Sequence, residues 1–295
     1  MMAGGLGVFL CTACCVDPNG IDREPPAAPP DDVPMEVVIA RVNANSLEMD
    51  FLVRAGGVRA RGQYLRGDRS ETFELNGTLL FRRPRRVYLQ LSHPLGTIEA
   101  GSDGQQVWFL GPDEWMPRHS PDDLPFRPDR LADVLGLGLL PINTRGSLGP
   151  VMRVGPETYE LLFLDRDAMG QLYITHAVHV DRAPPYLVVA VVFFAPEGHP
   201  VMKAELSDHR PITDSEVLAP RRIRMTWLPD RGWMEMTFAN MKRFDRPAAE
   251  ARFSPREGSV VWQTAESDDD PSVLWDLDTA EPADHPSADR VPDGS

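Results

Sequence analysis

The sequence has little cysteine and places all of it near one end. Its three cysteines, Cys11, Cys14 and Cys15, lie within the segment "LCTACC", and residues 16–295 contain none. A disulfide framework needs partners spread along the chain, and a bridge between adjacent cysteines would be strained. A local zinc site would need a histidine close by, but the first histidine is His93. The cysteine pattern therefore argues against both kinds of site.

The sequence also lacks the short motifs of common catalytic sites. It contains no Gly-x-Ser-x-Gly elbow, no His-Glu-x-x-His and no phosphate-binding loop. His176 and His179 lie three apart in a strand pattern, so they point to opposite faces and cannot bind one metal together. We expect His176 to be a core or rim histidine, and the protein to be no enzyme and to need no cofactor or metal. A cleft with paired carboxylates near His176 or His209 would favour a hydrolase instead.

No apolar run reaches the ~20 residues of a transmembrane helix. The short, uncharged stretch "MAGGLGVFLCTA" ends in small residues before Cys14, which resembles the lipobox of a bacterial lipoprotein signal peptide. In that interpretation residues 1–13 are the signal segment and Cys14 is the lipidation site. No Lys or Arg precedes the run, and Cys11 stands where leucine is usual. A start codon assigned too far downstream would explain the missing charge; the alternative is a disordered N-terminus with chance cysteines.

Negative charge is in excess, with 44 acidic against 30 basic residues, but the excess lies at the two ends. Residues 16–34 and 263–295 are rich in proline and acidic residues and contain one base each. Such segments cannot bury enough apolar surface to order themselves. We therefore predict a spacer over 14–34, one nearly neutral domain over 35–262, and an acidic disordered tail over 263–295. This composition also argues against a nucleic-acid partner.

The domain pattern predicts two helices and many strands. Met35, Val38, Ile39 and Val42 recur at helical spacing, and so do Leu131, Val134 and Leu135 in "RPDRLADVLGLG". About ten short alternating runs fill the rest, joined by turn sequences such as "DRDAMG", "APEGHP" and "LPDRG". Several runs, "YLVVAVVFF" most plainly, are apolar on both faces and need cover on each side. The pattern predicts a mainly β (α+β) domain with one antiparallel sheet that curls strongly or nearly closes.

The string "NGTLLFRRPRRVYLQLSHPLGTIEAGSDGQQVWFL", with "ARVNAN" before it and "FRPDRLADVLGLGLLP" after it, resembles the LolA/LolB-like family of bacterial envelope proteins. The resemblance implies a half-open antiparallel β-barrel, plugged by helices, around an apolar cavity that binds acyl chains. It implies a lipid-anchored envelope protein, facing the periplasm, that carries or receives lipids or lipoproteins. The alternative is an envelope-stress sensing or scaffolding module of the same fold, acting through a protein partner.

Two sets of residues are candidates for binding. The arginines Arg82, Arg83, Arg85 and Arg86 could bind anionic headgroups or an acidic partner, although only two of the 30 basic residues are lysine, so arginine also fills ordinary surface positions. Apolar residues on alternating strand positions could line the acyl cavity, or could equally be core. These cavity candidates are Val87, Leu89, Leu91, Val107, Phe109, Ile223, Met225, Trp227, Met234, Met236 and Phe238.

Overall fold

The computed structural model describes residues 33–66, 69–94, 96–112, 127–141, 148–166, 169–228 and 232–263. The predicted signal segment, Cys14, nearly all of the predicted spacer and the tail lie outside these residues. No helix in the described part of the chain is both long and apolar enough to cross a bilayer.

Both predicted helices are present. Helix α1 spans Met35–Leu47 and buries Val38, Ile39 and Val42. Helix α2 spans Pro128–Val134 and begins with Pro128, which suits a first helical turn because its missing N–H is not needed there. A 3-10 helix, Pro247–Phe253, was not expected from the sequence. The apolar spacing of α1 and α2 therefore predicted which helix faces would be buried.

Thirteen strands form a single sheet, and every strand pair in it is antiparallel. In chain order, β1 to β13 are Val53–Arg66, Arg69–Arg82, Arg86–His93, Gly96–Ser102, Gln106–Leu110, Val151–Val154, Thr158–Arg166, Leu172–Asp181, Val188–Phe194, Pro200–Pro211, Leu218–Trp227, Gly232–Arg243 and Val260–Gln263.

The first strand in the chain lies near the middle of the sheet. Strand β1 pairs with β2 on one side and with β12 on the other. Strands β2 to β5 follow one another toward one edge, where β13 adds on, while β12 back to β6 run toward the other edge. The predicted turn sequences "DRDAMG", "APEGHP" and "LPDRG" join β7 to β8, β9 to β10 and β11 to β12.

The sheet has thirteen strands in the described residues, where the sequence pattern predicted about ten, and the predicted half-open barrel is confirmed only as an open antiparallel sheet. Strands β6 and β13, which the sequence pattern missed, have only four residues each, too few to show a period-two alternation. They are the two end strands in the sheet order and are not paired with each other, so the sheet is open.

The two faces of the sheet are covered differently. We call the face toward α1 and α2 the inner face; its side chains form one continuous apolar core with those helices. The opposite, outer face has a small apolar cluster where the 3-10 helix covers Leu80, Tyr88 and Trp108. Trp108 Nε1 donates a hydrogen bond to the carbonyl of Phe253 at 2.9 Å, which fixes the 3-10 helix on the sheet.

Much of the outer face is charged instead. Across β2, β1, β12, β11 and β10, directly paired residues alternate in sign: Glu74, Arg61, Glu235, Arg224 and Glu205. Arg61 Nη2 lies 2.7 Å from Glu235 Oε1 within this row. Opposite charges on directly paired strand positions stabilise a sheet modestly. We call this row the charge ladder.

Candidate functional site on the inner face

The structure places the predicted cavity residues on the inner face, in two groups that β2 and β1 separate. They come from β3, β5, β11 and β12, and the pairs Ile223–Met236 and Met225–Met234 lie directly across from each other. Ten of the eleven are at most 4% exposed. Trp227 alone is only partly buried, and it packs against the same core. The alternation therefore predicted their shared burial, and ligand binding by them stays a prediction.

A lane of small residues on β1 faces the methionines of β12. Ala55, Ala60 and Gly62 pair with Met241, Met236 and Met234 respectively. Gly62 is required there, because a Cβ atom would lie 2.3 Å from the carbonyl oxygen of Trp233 and 2.8 Å from the ring of Phe73. Six buried methionines take part in this core: Met49, Met202, Met225, Met234, Met236 and Met241.

Methionine side chains determine how this core can repack around a bound apolar ligand. They have three rotatable bonds and a polarisable sulfur, so they repack around differently shaped apolar groups at little cost. The small β1 residues contribute little side-chain volume of their own, and Val58 is the larger residue between Ala55 and Ala60 in the same core. The middle of the inner face is therefore the part of the core best suited to accept a flexible apolar chain.

Two asparagines of α1 attach the helix to the rest of the domain. Asn43 donates from Nδ2 to the carbonyl of Leu140 at 2.9 Å and accepts from its N–H at 2.7 Å. Asn45 makes the same two-way contact with Leu218, at 2.9 and 2.8 Å. Each amide thus satisfies a donor and an acceptor of the main chain, as a strand partner would. The pair belongs to the "ARVNAN" segment, whose role the sequence alone did not reveal.

A histidine lies at the β7–β9 end of the inner face. The His176 ring stacks on Phe163 with centroids 4.4 Å apart, and Phe193 lies 6.0 Å away on another side. Burial, and secondarily the positive charge of Arg85, lowers the pKa of His176 to about 4. The ring is therefore neutral at pH 7, as expected of a rim histidine.

His179 points to the outer face, where its Nε2 lies 3.7 Å from Glu160, so the prediction that the two histidines face apart is confirmed. No group of three metal-ligating side chains occurs in the described ranges. A carboxylate of α2 has a raised pKa instead: burial brings that of Asp133 to about 6, against the effect of Arg85 at 3.6 Å.

The four predicted headgroup arginines have partners within the domain. Arg82 and Arg86 both pair with Glu250 of the 3-10 helix, the latter at 2.9 Å. Arg85 lies against Asp133, and Arg83 Nε donates to the carbonyl of Met49 at 2.9 Å. These contacts attach the 3-10 helix, α2 and the residues just after α1 to the β2–β3 turn region. Binding of anionic headgroups by these residues stays a prediction.

Comparison with known proteins gives the fold a context. No family model and no curated protein matches the chain. Among solved structures, it is similar to a DUF1329 family protein from Desulfovibrio piger, with 11% identity, a TM-score of 0.48, and coverage of 76% of this chain and 98% of that one. It is also similar to a LolA superfamily protein from Nitrosomonas europaea, with 16% identity, a TM-score of 0.45, and coverage of 76% and 99%.

A third similar structure is an outer membrane lipoprotein-sorting protein domain from Vibrio parahaemolyticus, with 10% identity, a TM-score of 0.46, and coverage of 73% and 96%. The names of the second and third structures thus agree with the LolA/LolB-like resemblance predicted from the sequence. Identities this low, with TM-scores below 0.5, carry nothing about ligand or activity. Those have to come from the chain's own residues.

Proposed function

We propose that this is a non-enzymatic bacterial envelope protein, anchored through a lipidated Cys14 and facing the periplasm, whose inner face binds acyl chains. It would carry or receive lipids or lipoproteins. The observation that carries the proposal is the lane of small β1 residues opposite Met234, Met236 and Met241, in one apolar core with residues of both helices. The family resemblance of the sequence supports the same ligand class.

The energetics allow such a ligand to enter. Burying an acyl chain in an apolar site gains about 0.8 kcal/mol for each CH₂ group. In the described residues, α1 is attached by the paired hydrogen bonds of Asn43 and Asn45. One longer contact joins Ser46 Oγ to the carbonyl of Gly138 at 3.4 Å. A net hydrogen bond contributes about 1 kcal/mol. A chain of ten or more carbons therefore supplies enough free energy to offset the loss of these contacts.

A pair of opposed substitutions tests the ligand site. Ala60→Leu fills the lane, so we expect it to weaken the binding of a fluorescent fatty acid, whereas Met236→Ala enlarges the lane and should preserve or strengthen it. The matched control is Thr226→Ala, on a strand of the same region but not on the inner face. Thermal unfolding of each variant separates loss of binding from loss of folding.

Native mass spectrometry of the full chain, purified from bacterial membranes, provides the direct observation. Co-purified fatty acid or phospholipid that is lost in Ala60→Leu supports the proposal. A protein that binds no acyl ligand, and whose inner-face variants all behave like Thr226→Ala, contradicts it. That second result would leave the sensing or scaffolding role through a protein partner as the better account.

The anchor is tested separately by the mass of the mature N-terminus. A diacylglyceryl group on Cys14, with residues 1–13 removed, is the expected result. An N-terminus that still begins at Met1 would contradict anchoring without affecting the ligand site.

A further inference from the structure

The outer face has a polar pocket that the acyl-binding proposal does not use. It has a volume of about 810 Å³ and lies where β1 and β12 bend together. Ala55 and Val58 both point into the core although they are three residues apart, and so do Met241 and Phe238 opposite them. Each strand therefore has two successive residues off the inner face, which breaks the alternation and opens the surface. Gly57, with φ of +62°, occupies the bend in β1.

Arginines from three strands line this pocket. Arg59 comes from β1, Arg210 from β10, and Arg221 and Arg222 from β11. The one carboxylate in the lining, Asp208, accepts a hydrogen bond from Arg210 Nε at 2.8 Å. The four guanidinium groups thus share the lining with a single carboxylate, so the pocket is positively charged although the whole chain is acidic.

The charges of Arg59 and Arg222 are weakly compensated. Arg59 lies 3.7 Å from Glu74, and both side chains are more than 60% exposed, so water screens this pair. Arg222 is exposed and lies directly between Thr237 and Ser207 on the neighbouring strands, neither of which bears a charge. A second depression of about 410 Å³, which shares Arg59, Arg222 and Thr237, continues the pocket toward the charge ladder.

Arg221 differs from Arg222, because successive residues of β11, whose pairing with β10 is unbroken there, point to opposite faces. Its Nη2 donates to the carbonyl of Pro211 at 2.6 Å, while its Nη1 is closed off from solvent. An anion in the open pocket therefore does not reach that nitrogen, and Arg59 and Arg222 are the arginines through which the pocket meets a ligand.

We propose that this outer-face pocket binds the phosphate group of a phosphomonoester. Arg222 would contact its oxygens from one side of Thr237 and Arg59 from the other. Planar guanidinium groups match phosphate in a two-pronged geometry, and neighbouring Asn76, Asn240 and Thr213 supply uncharged polar groups for the rest of the ligand. The sheet separates this pocket from the inner face, so it does not hold the headgroup of a chain bound there.

The test uses the full chain with Cys14→Ser, which removes the proposed anchor. Isothermal titration with inorganic phosphate and with glycerol 3-phosphate at low salt should show binding. Arg222→Gln, at an exposed position that the fold does not need, should weaken the binding about tenfold or more. Arg59→Gln, at a side chain that is 64% exposed, should do the same. Arg153→Gln is the matched control, because Arg153 lies on edge strand β6 and pairs with Glu160.

Vesicles distinguish a lipid from a soluble source of the phosphate. Arg222-dependent retention on phosphatidylcholine vesicles containing phosphatidic acid, but not on phosphatidylcholine alone, would support the proposal with a lipid headgroup. Binding of glycerol 3-phosphate without retention would support it with a soluble ligand. No binding of either probe, or equal losses in Arg222→Gln and Arg153→Gln, would overturn it. Fatty-acid binding by Arg222→Gln should be unchanged, so the proposal for the outer-face pocket and the proposal for the inner face are tested independently.

Discussion

Neighbouring residues of β12 show how differently the two faces of this sheet are built. Met236 points to the inner face, is fully buried, and pairs with Ala60 and Ile223. Glu235 points to the outer face, where Arg61 lies 2.7 Å away and Arg224 pairs with it across β11. The inner face depends on apolar burial, which is not directional, while the outer face depends on charges that water partly screens. We therefore expect the inner face to tolerate substitutions that change side-chain shape but not polarity. We expect the outer face to tolerate substitutions that change polarity but not shape.

The largest expected effect comes from exchanging the characters of these two neighbours. Met236→Glu buries a carboxyl group with no partner and should cost about 4 kcal/mol or more, enough to unfold much of the protein. Glu235→Met should cost only about 1 kcal/mol, because Arg61 is 59% exposed and remains hydrated. Urea denaturation followed by tryptophan fluorescence measures both. Equal losses in the two variants would show that the faces do not differ as described.

The next effect concerns the helical cover of the inner face. Asn43→Ala removes both hydrogen bonds to Leu140 in a buried setting, and we expect a loss of about 2–3 kcal/mol. Asn45→Ala removes two similar bonds to Leu218 at a partly buried position, where water can replace them, and should cost about 1 kcal/mol. Hydrogen exchange of the α1 amides should rise more in the first variant. The reverse order would indicate that Asn45 is the main attachment.

A smaller effect should come from the cover of the outer face. A Cβ atom on Gly101 would lie 2.6 Å from the six-membered part of the Trp108 ring, so Gly101→Ala should cost about 1–3 kcal/mol. Trp108→Leu removes the ring atoms that clash, so the double variant should lose about 1 kcal/mol less than the sum of the single losses. Gly56→Ala, where an added Cβ meets nothing within 4 Å, is the control. Strict additivity would contradict the proposed contact.

The success of the sequence in predicting the inner face has a physical reason. Side chains alternate along a strand, so the pattern around Val87, Leu89 and Leu91 predicts which residues share a face before any contact is known. The two-way clamp of Asn43 could not be predicted, because its partner Leu140 lies 97 residues away. The string "GSDGQQVW" was recognised as a motif, but its reason, the packing of Trp108 over Gly101, became visible only with the strand pairing.

The outer-face pocket shows why charge along the sequence does not predict where a charged binding site lies. The sequence pointed to Arg82, Arg83, Arg85 and Arg86, yet none of these four lines the pocket, which takes Arg59 of β1 instead. Its other three arginines come from residues 210–222, which the order of strands brings beside β1 through β12. Proximity in a sheet follows strand order, so a local charge count cannot locate such a site.

The smallest expected effect concerns the polar exception on the inner face, His176. Its pKa in the folded protein is about 4, below the ordinary value of 6.5, because burial disfavours the charged ring. The stabilising contribution of the neutral ring is therefore complete above pH 6.5 and is lost as the pH falls from 6.5 toward 4. The groups that face it are the rings of Phe163 and Phe193, the hydroxyl of Thr175 and the charge of Arg85.

His176→Phe keeps an aromatic ring in this stack and removes the titration, so its stability should fall less between pH 7 and pH 4.5, by about 1–2 kcal/mol after allowing for the partial exposure of the ring. Asp133 acts in the opposite direction: its pKa is raised to about 6, so its protonation below that pH favours the folded state. The comparison is therefore made in the Asp133→Asn background, which removes this opposing titration. Parallel stability curves for that background with and without His176→Phe would mean that the inner face already hydrates this ring.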